Sequence, residues 1–218
     1  MNWKLAFGAA FFLSSMSLYG QYQSVGFGLG SSAFRGETSN DNLAALEELG
    51  RSAYFHYNGW LKDERWQYSV ELSYHQIRGR IQVRDFLVSN TLYQARSRHF
   101  NLAGGMRFYL DSKLKRYQPT RGQWAFFGAA YAGLEAFYSN TEANRLGIRA
   151  RQETNENFMV SPYINGLGGV RVFLDRNWYM ELSAGMKYGF NDFWDGISGH
   201  TGVNDFIVYA HLSGGYAF

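Results

Sequence analysis

The sequence contains no cysteine and only two prolines among 218 residues. Without cysteine there is no disulfide stapling and no thiolate chemistry, whatever the redox compartment. Proline removes a donor from any strand ladder, so its scarcity leaves room for long uninterrupted strands. Long apolar runs are also missing. Apart from Leu5–Met16, no stretch approaches the roughly twenty residues that a membrane-spanning helix needs. No basic block with interleaved aromatics is present, and Lys and Arg (21) barely exceed Asp and Glu (18), so no nucleic-acid partner is expected. What the chain does have is 25 glycines, 18 phenylalanines, 16 tyrosines and 6 tryptophans.

Residues 1–20 read as a secretory signal peptide. Lys4 supplies a short positive segment, and Leu5 to Met16 form an apolar stretch too short to span a bilayer. Cleavage after Gly20 is expected to leave Gln21 as the mature terminus, with 21–218 as a single domain. Losing Lys4 leaves 20 basic and 18 acidic side chains, a net charge of +2. The mean hydropathy of −0.33 fits a soluble protein. It equally fits a transmembrane barrel, in which lipid-facing residues alternate with polar residues of the lumen and dilute one another.

Alternation is the dominant pattern. Trp66, Tyr68, Val70, Leu72 and Tyr74 share one face of a strand, opposite Gln67, Ser69, Glu71, Ser73 and His75. Phe100, Leu102, Gly104, Met106, Phe108 and Leu110 oppose His99, Asn101, Ala103, Gly105, Arg107 and Tyr109. Trp178, Met180, Leu182, Ala184, Met186 and Tyr188 oppose Tyr179, Glu181, Ser183, Gly185 and Lys187. The even residues from Phe206 to Phe218 form a further apolar face. None of the apolar faces carries a charge, and none shows the three- and four-residue spacing of a helix. Weaker alternation at 23–34, 51–61, 123–138 and 158–174 completes an expected set of eight strands.

Connections of 35–50, 75–97, 139–157 and 191–204 are expected to be long and polar. Those at Lys62–Arg65, Asp111–Gly122 and Asp175–Asn177 are mostly shorter. Long outer loops alternating with short periplasmic turns is the pattern of an outer-membrane barrel. Trp60, Trp66, Trp124 and Trp178 all fall beside the short turns. Indole prefers the lipid–water boundary, so these four are expected to form a periplasmic aromatic girdle. Pro162, inside the sixth strand, is expected above the membrane ladder or at a bulge. Tyr216 and the terminal Phe218 resemble the last-strand signal read by the barrel-assembly machinery, with Ser213 where a glycine is common.

Several stretches resemble the PorG-like outer-membrane barrels linked to the type IX secretion system. Phe27-Gly28-Leu29-Gly30 followed by Phe34-Arg35-Gly36-Glu37 is similar to that family's first strand and its Gly-acidic step. Arg98–Leu102 resembles the fourth strand and Phe126–Tyr138 its aromatic-glycine strand. Tyr188–Gly199 (YGFNDFWDGISG) resembles the exit of strand seven. Glu37, Trp194 and Gly196 depart from the family pattern, and the loop Asn40–Gly50 is this protein's own. The resemblance implies a non-enzymatic accessory barrel of a secretion machine, docking periplasmic lipoprotein or secretion-ring proteins and needing no cofactor.

With the lipid face so assigned, Glu71, Arg107, Glu135, Arg171, Glu181 and Lys187 point into the lumen. Register across the Asp175–Asn177 turn sets Arg171 opposite Glu181. A lower plug of Arg107, Arg171, Glu181 and Glu71 and an upper pair of Glu135 and Lys187 are expected, closing the bore. His211-Leu212-Ser213 resembles the His-x-Ser spacing of outer-membrane lipid A deacylases, but no acid follows to orient the base. His75 and His99 are expected to rim the lumen, with no metal-ligand spacing around them. Asp192, Asp195 and Asn204 read as a solvated turn in preference to a calcium site. Lys113, Lys115, Arg116 and Arg121 crowd the longest periplasmic turn and are candidate partner contacts. Leu43, Leu46 and Leu49 have the spacing of a short amphipathic helix. The expected product is an eight-stranded, closed, non-enzymatic scaffold in outer-membrane lipid. The alternatives are a small channel, an adhesion or structural barrel and, last, a lipid hydrolase.

Overall fold

In the computed structural model the described residues are 23–35, 49–61, 65–84, 90–110, 120–146, 152–190 and 206–218. They form eight strands: β1 (Gln23–Arg35), β2 (Gly50–Trp60), β3 (Trp66–Arg84), β4 (Asn90–Tyr109), β5 (Trp124–Leu146), β6 (Gln152–Phe173), β7 (Trp178–Gly189) and β8 (Phe206–Ala217). Each pairs antiparallel with its sequence neighbour, and β1 pairs with β8, so the sheet is a closed barrel. Gln23 and Phe218 exchange backbone hydrogen bonds of 2.9 and 2.8 Å at the seam. The expected signal segment 1–20 lies outside the described residues.

The barrel is inside out relative to a water-soluble fold. Phe27, Leu72, Leu102, Leu134, Val160, Leu182 and Leu212 are each more than half exposed on the outer wall. Glu71, Arg107, Glu135, Arg171, Glu181 and Lys187 are at most 3% exposed, inside. The cause is the period of two: one alternate set of each strand faces outward and the other faces the bore. Hydrocarbon is the environment that such an exterior suits, and closure removes the unpaired edges that hydrocarbon would penalise. Two glycines allow large aromatics to lie flat on the wall. Tyr68 covers Gly59 and Tyr179 covers Gly215, and a Cβ at either glycine would occupy the ring's place.

Strand lengths differ in a systematic way. β1, β2, β7 and β8 have 11 to 13 residues, close to the roughly 9–11 that cross a bilayer at a tilt. β3 to β6 have 19 to 23. The spans 75–97 and 139–157 are therefore not loops: β3 runs on to Arg84, β4 starts at Asn90, β5 reaches Leu146 and β6 starts at Gln152. Ladder pairing continues from Gln76↔Arg98 to Arg84↔Asn90, because a hairpin once started needs no apolar face to keep its backbone bonds. The result is a four-stranded wall rising above the rest of the barrel at the end opposite the chain termini.

At the terminus-bearing end the β2–β3 and β6–β7 connections are short, running from Leu61 to Arg65 and from Leu174 to Asn177. Asp175 accepts the backbone N–H groups of Trp178 and Asn177 at 2.7 and 2.8 Å, and these donors hold its carboxyl below the usual range. Asn177 ties the same turn to β8 by donating to the Ala217 carbonyl at 2.8 Å. Pro162 is tolerated for a related reason. Its carbonyl accepts from Phe190 at 3.3 Å, just past the last β6–β7 pair Tyr163↔Gly189. Its missing donor thus faces the side on which the β7 ladder stops.

One member of the expected tryptophan girdle is placed differently. Trp66, Trp124 and Trp178 face outward, 38 to 60% exposed, but Trp60 is 2% exposed and packs on Tyr109 inside, 5.0 Å between centroids. Trp60 is paired with the buried Gln67 and shares its parity with His56 and Asn58, so it floors the lumen. Tyr216 and Phe218 stand on the outer face near Trp178 instead. In bilayers containing brominated acyl chains, a single-tryptophan variant retaining Trp178 is expected to be strongly quenched and one retaining Trp60 to be nearly unaffected. Equal quenching of the two would contradict the inward placement.

Candidate functional site

The polar bore is the candidate site, and it is built from opposite sides. Arg171 and Glu181 are register partners on β6 and β7. Arg171 donates to Glu181 Oε2 from Nε at 3.1 Å and from Nη2 at 2.8 Å. Arg107 reaches the same carboxylate from β4, with Nη1 at 3.1 Å from Oε1 and 2.9 Å from Oε2. Glu181 is therefore clamped between two guanidinium groups, and charge-assisted hydrogen bonds of this kind are roughly twice as strong as neutral ones. Sequence spacing alone brings Arg171 to Glu181, whereas Arg107 arrives only because the sheet closes.

Aromatic side chains complete this layer. Arg107 Nε donates to the Tyr131 hydroxyl at 2.8 Å, and its guanidinium lies 4.9 Å from the Phe127 ring centroid. Arg171 stacks over Tyr179 at 4.0 Å. Tyr54, from β2, donates to Ser213 at 2.9 Å and approaches Glu181 at 3.3 Å. These contacts disperse the two positive charges over ring faces and hydroxyl oxygens.

A second layer lies toward the wall. Lys187 Nζ donates to Glu135 Oε2 at 2.6 Å and to Asn101 Oδ1 at 2.7 Å, and His99 Nδ1 is 3.1 Å from the same Glu135 oxygen. Glu71 makes no ion pair among the described residues. It bonds Ser73 and lies within the fields of Arg107 and Lys187, and in register it pairs with Ala103, between Asn101 and the Arg107 level, so it stands between the lower cluster and the upper pair. The six lumen charges are three carboxylates and three cations, which leaves the bore formally neutral.

The tyrosines are the residues that sequence reasoning left out of the site. Tyr54, Tyr109, Tyr131, Tyr163, Tyr179 and Tyr209 are all at most 4% exposed inside. Their parity was the available signal, since Tyr109 shares a face with Arg107 and Tyr179 with Glu181. Histidines 56, 75, 99 and 211 are likewise fully inside, not at the rim.

The His-x-Ser pair does not form a dyad. Ser213 is engaged by Tyr54, and His211 Nε2 instead lies 2.8 Å from Ser52 Oγ. His211 is stacked on Tyr54 at 4.4 Å, both groups are buried, and among the described residues no carboxylate is hydrogen-bonded to the imidazole. That arrangement packs the bore, with His211 and Ser213 at most 3% exposed. Among the described residues no cluster of three His, Asp or Glu is placed to hold a metal. Arg121 is exposed at the β4–β5 turn, whereas Lys113, Lys115 and Arg116 lie outside the described residues. So do Leu43, Leu46, Asp192, Asp195 and Asn204; Leu49 is described, exposed just before β2.

No protein family and no curated relative matches the sequence. Solved structures with a similar course of the chain include the attachment invasion locus protein Ail of Yersinia pestis, at 10% identity and a TM-score of 0.48. That match covers 91% of this chain and 99% of Ail. Neisserial surface protein A is similar at 12% identity over 90% of this chain and 95% of its own, with a TM-score of 0.44. The outer membrane protein OprG of Pseudomonas aeruginosa is similar at 10% identity over 92% and 97%, with a TM-score of 0.45. All three are likenesses of chain course alone.

The clamp makes a specific energetic demand. Removing one partner of a buried ion pair leaves an uncompensated charge, at a cost of about 3–5 kcal/mol. Glu181→Gln keeps the shape and strands two guanidinium groups, so it is expected to lower unfolding stability in urea by about that amount. Lys187→Met is expected to cost less, because His99 remains beside Glu135. Equal and negligible losses for the two variants would contradict the clamp.

Proposed function

We propose that the protein is a closed outer-membrane barrel that works as a scaffold through its two ends, with no catalytic role. The observation that carries this reading is the set of side-chain bonds crossing the bore. Arg107 on β4 reaches Glu181 on β7, Lys187 on β7 reaches Glu135 on β5 and Asn101 on β4, and Tyr209 on β8 reaches Asn165 on β6 at 2.7 Å. An eight-stranded interior is just wide enough to be filled by side chains, and bonds across it favour a filled bore over a continuous water column. A channel needs one, and a hydrolase needs its nucleophile within reach of lipid.

Function then falls to the surfaces at the rims. The resemblance of Tyr188–Gly199 and the first strand to PorG-like barrels supports an accessory role in type IX protein secretion. In that role the protein docks a periplasmic lipoprotein of the secretion ring. The basic turn carrying Lys113, Lys115, Arg116 and Arg121 is the proposed contact, because it joins β4 to β5, whose facing ends lie at the terminus-bearing end, and suits an acidic partner. A second reading, a surface adhesion barrel, is favoured by the tall β3–β6 wall at the other end.

Affinity purification of the tagged protein in gentle detergent tests the reading. A ring lipoprotein is expected to be recovered with the wild-type chain, and its yield is expected to fall at least tenfold when the four basic residues are reversed to glutamate. Unchanged recovery after charge reversal would contradict the assigned contact, and failure to recover any ring lipoprotein with the wild-type chain would leave the adhesion reading in its place.

A further inference from the structure

The outer wall of β2–β4 carries a feature that scaffolding does not use. Arg51, Arg78, Arg96 and Arg98 all face outward and are exposed. Arg78 and Arg96 are register partners, and Arg98 pairs with Gln76 one step below. Arg51 precedes Ser52, the partner of His75, and Gly50 packs on the Gln76 carbonyl, so Arg51 flanks Gln76 on its other side. Strands lie about 4.8 Å apart and alternate residues about 7 Å apart along a strand. Four guanidinium groups are thus gathered over a patch that long side chains can span. Like charges set directly opposite one another destabilise a sheet, and no ion pair among the described residues relieves these. The acidic side chains described on the wall's outer face, Glu142 and Glu156, belong to β5 and β6, and Glu156 is engaged by the Tyr138 hydroxyl.

Directly beneath the arginines the wall is indented. A groove of about 290 Å³ is lined on the outer face by Phe27, Ala53, Phe55, Leu72, Tyr74 and Phe100. Ala53 lies one outward position below Arg51, Tyr74 one below Gln76, and Phe100 one below Arg98. The small Ala53 among large aromatics creates the depression. Tyr74 and Phe100, 5.0 Å between centroids, mark the boundary at which the apolar belt gives way to charge.

From this juxtaposition we propose a binding site for a phosphorylated, acylated lipid of the outer leaflet. Its phosphates sit among Arg51, Arg78, Arg96 and Arg98, and one acyl chain lies in the groove below. Arginine forks match phosphate oxygens bidentately, and the groove supplies the apolar half of the recognition. The lipid anion supplies a counter-charge that no ion pair among the described residues provides. The site rests on the outer-membrane orientation, with the β3–β6 wall on the cell-surface side.

The test uses the mature chain refolded in phosphatidylcholine vesicles, then extracted into detergent and examined by native mass spectrometry with added diphosphoryl lipid A. The expected result is a retained one-to-one complex. In R51Q/R78Q/R96Q/R98Q the bound fraction is expected to fall at least tenfold. In Ala53→Trp, which fills the groove and keeps every charge, it is expected to fall several-fold. Glutamine at Lys113, Lys115, Arg116 and Arg121 removes the same charge from the opposite end and is expected to change nothing. Heat-dependent gel mobility establishes that each variant is folded. Equal loss in both quadruple variants would reduce the effect to net charge and overturn the site. Full displacement of lipid A by millimolar inorganic phosphate would also overturn it in favour of a free anion. A wild-type chain that fails to insert into vesicles sinks the membrane reading itself, whereas one that inserts but binds no lipid A sinks only this site.

Discussion

A backbone amide facing hydrocarbon has no water to bond, and the β1–β8 seam is where this chain meets that constraint. Twelve consecutive register pairs, from Ser24↔Ala217 to Arg35↔Phe206, join the first strand to the last. Once the seam is shut, no strand edge is left around the membrane belt. The outer face is then free to be wholly apolar, and every inward side chain is forced into a narrow common space. The scarcity of proline follows from the same demand, and Pro162 survives where a ladder ends.

The narrow bore imposes its own rule. Buried charges are tolerated only when paired and hydrogen-bonded, so three carboxylates and three cations share the interior with tyrosines and serines. Closure brings β4 within reach of β7, which lets one carboxylate, Glu181, serve two arginines. The polar interior therefore fixes which residues meet, while the apolar exterior fixes only that the barrel sits in lipid. Above the belt neither requirement applies. There β3–β6 keep pairing without an apolar face, and the arginines of β2–β4 meet no carboxylate partner among the described residues.

Much of this was legible in the chain. Trp66–His75 and Trp178–Tyr188 alternate cleanly because one side meets lipid and the other meets the bore, and that contrast is written in residue type. Arg171 and Glu181 were legible because a short turn sets their register. Three things were not. The wall was read as loops because its polar composition hid the alternation of Ile77, Ile81 and Val83 with Arg78, Arg80, Gln82 and Arg84. Trp60 was assigned by its preference for interfaces and not by its parity with His56 and Asn58. The expected lower plug already grouped Arg107 with Arg171 and Glu181, but that both guanidinium groups meet one carboxylate, across 74 residues, depends on curvature, which no local pattern encodes.

The absence of cysteine opens the most direct test of the inside-out arrangement. Single cysteines introduced at Val70, Leu182 and Val208, and at Ser69, Ser183 and Ser213, accept spin labels one at a time in reconstituted bilayers. The expected result is period-two accessibility. Labels at the first three sites collide with oxygen dissolved in the lipid, and labels at the second three are shielded from it. Dominant collisions with a water-soluble nickel chelate at Val70, Leu182 and Val208 would show those faces to be covered by water, and the membrane barrel would be refuted.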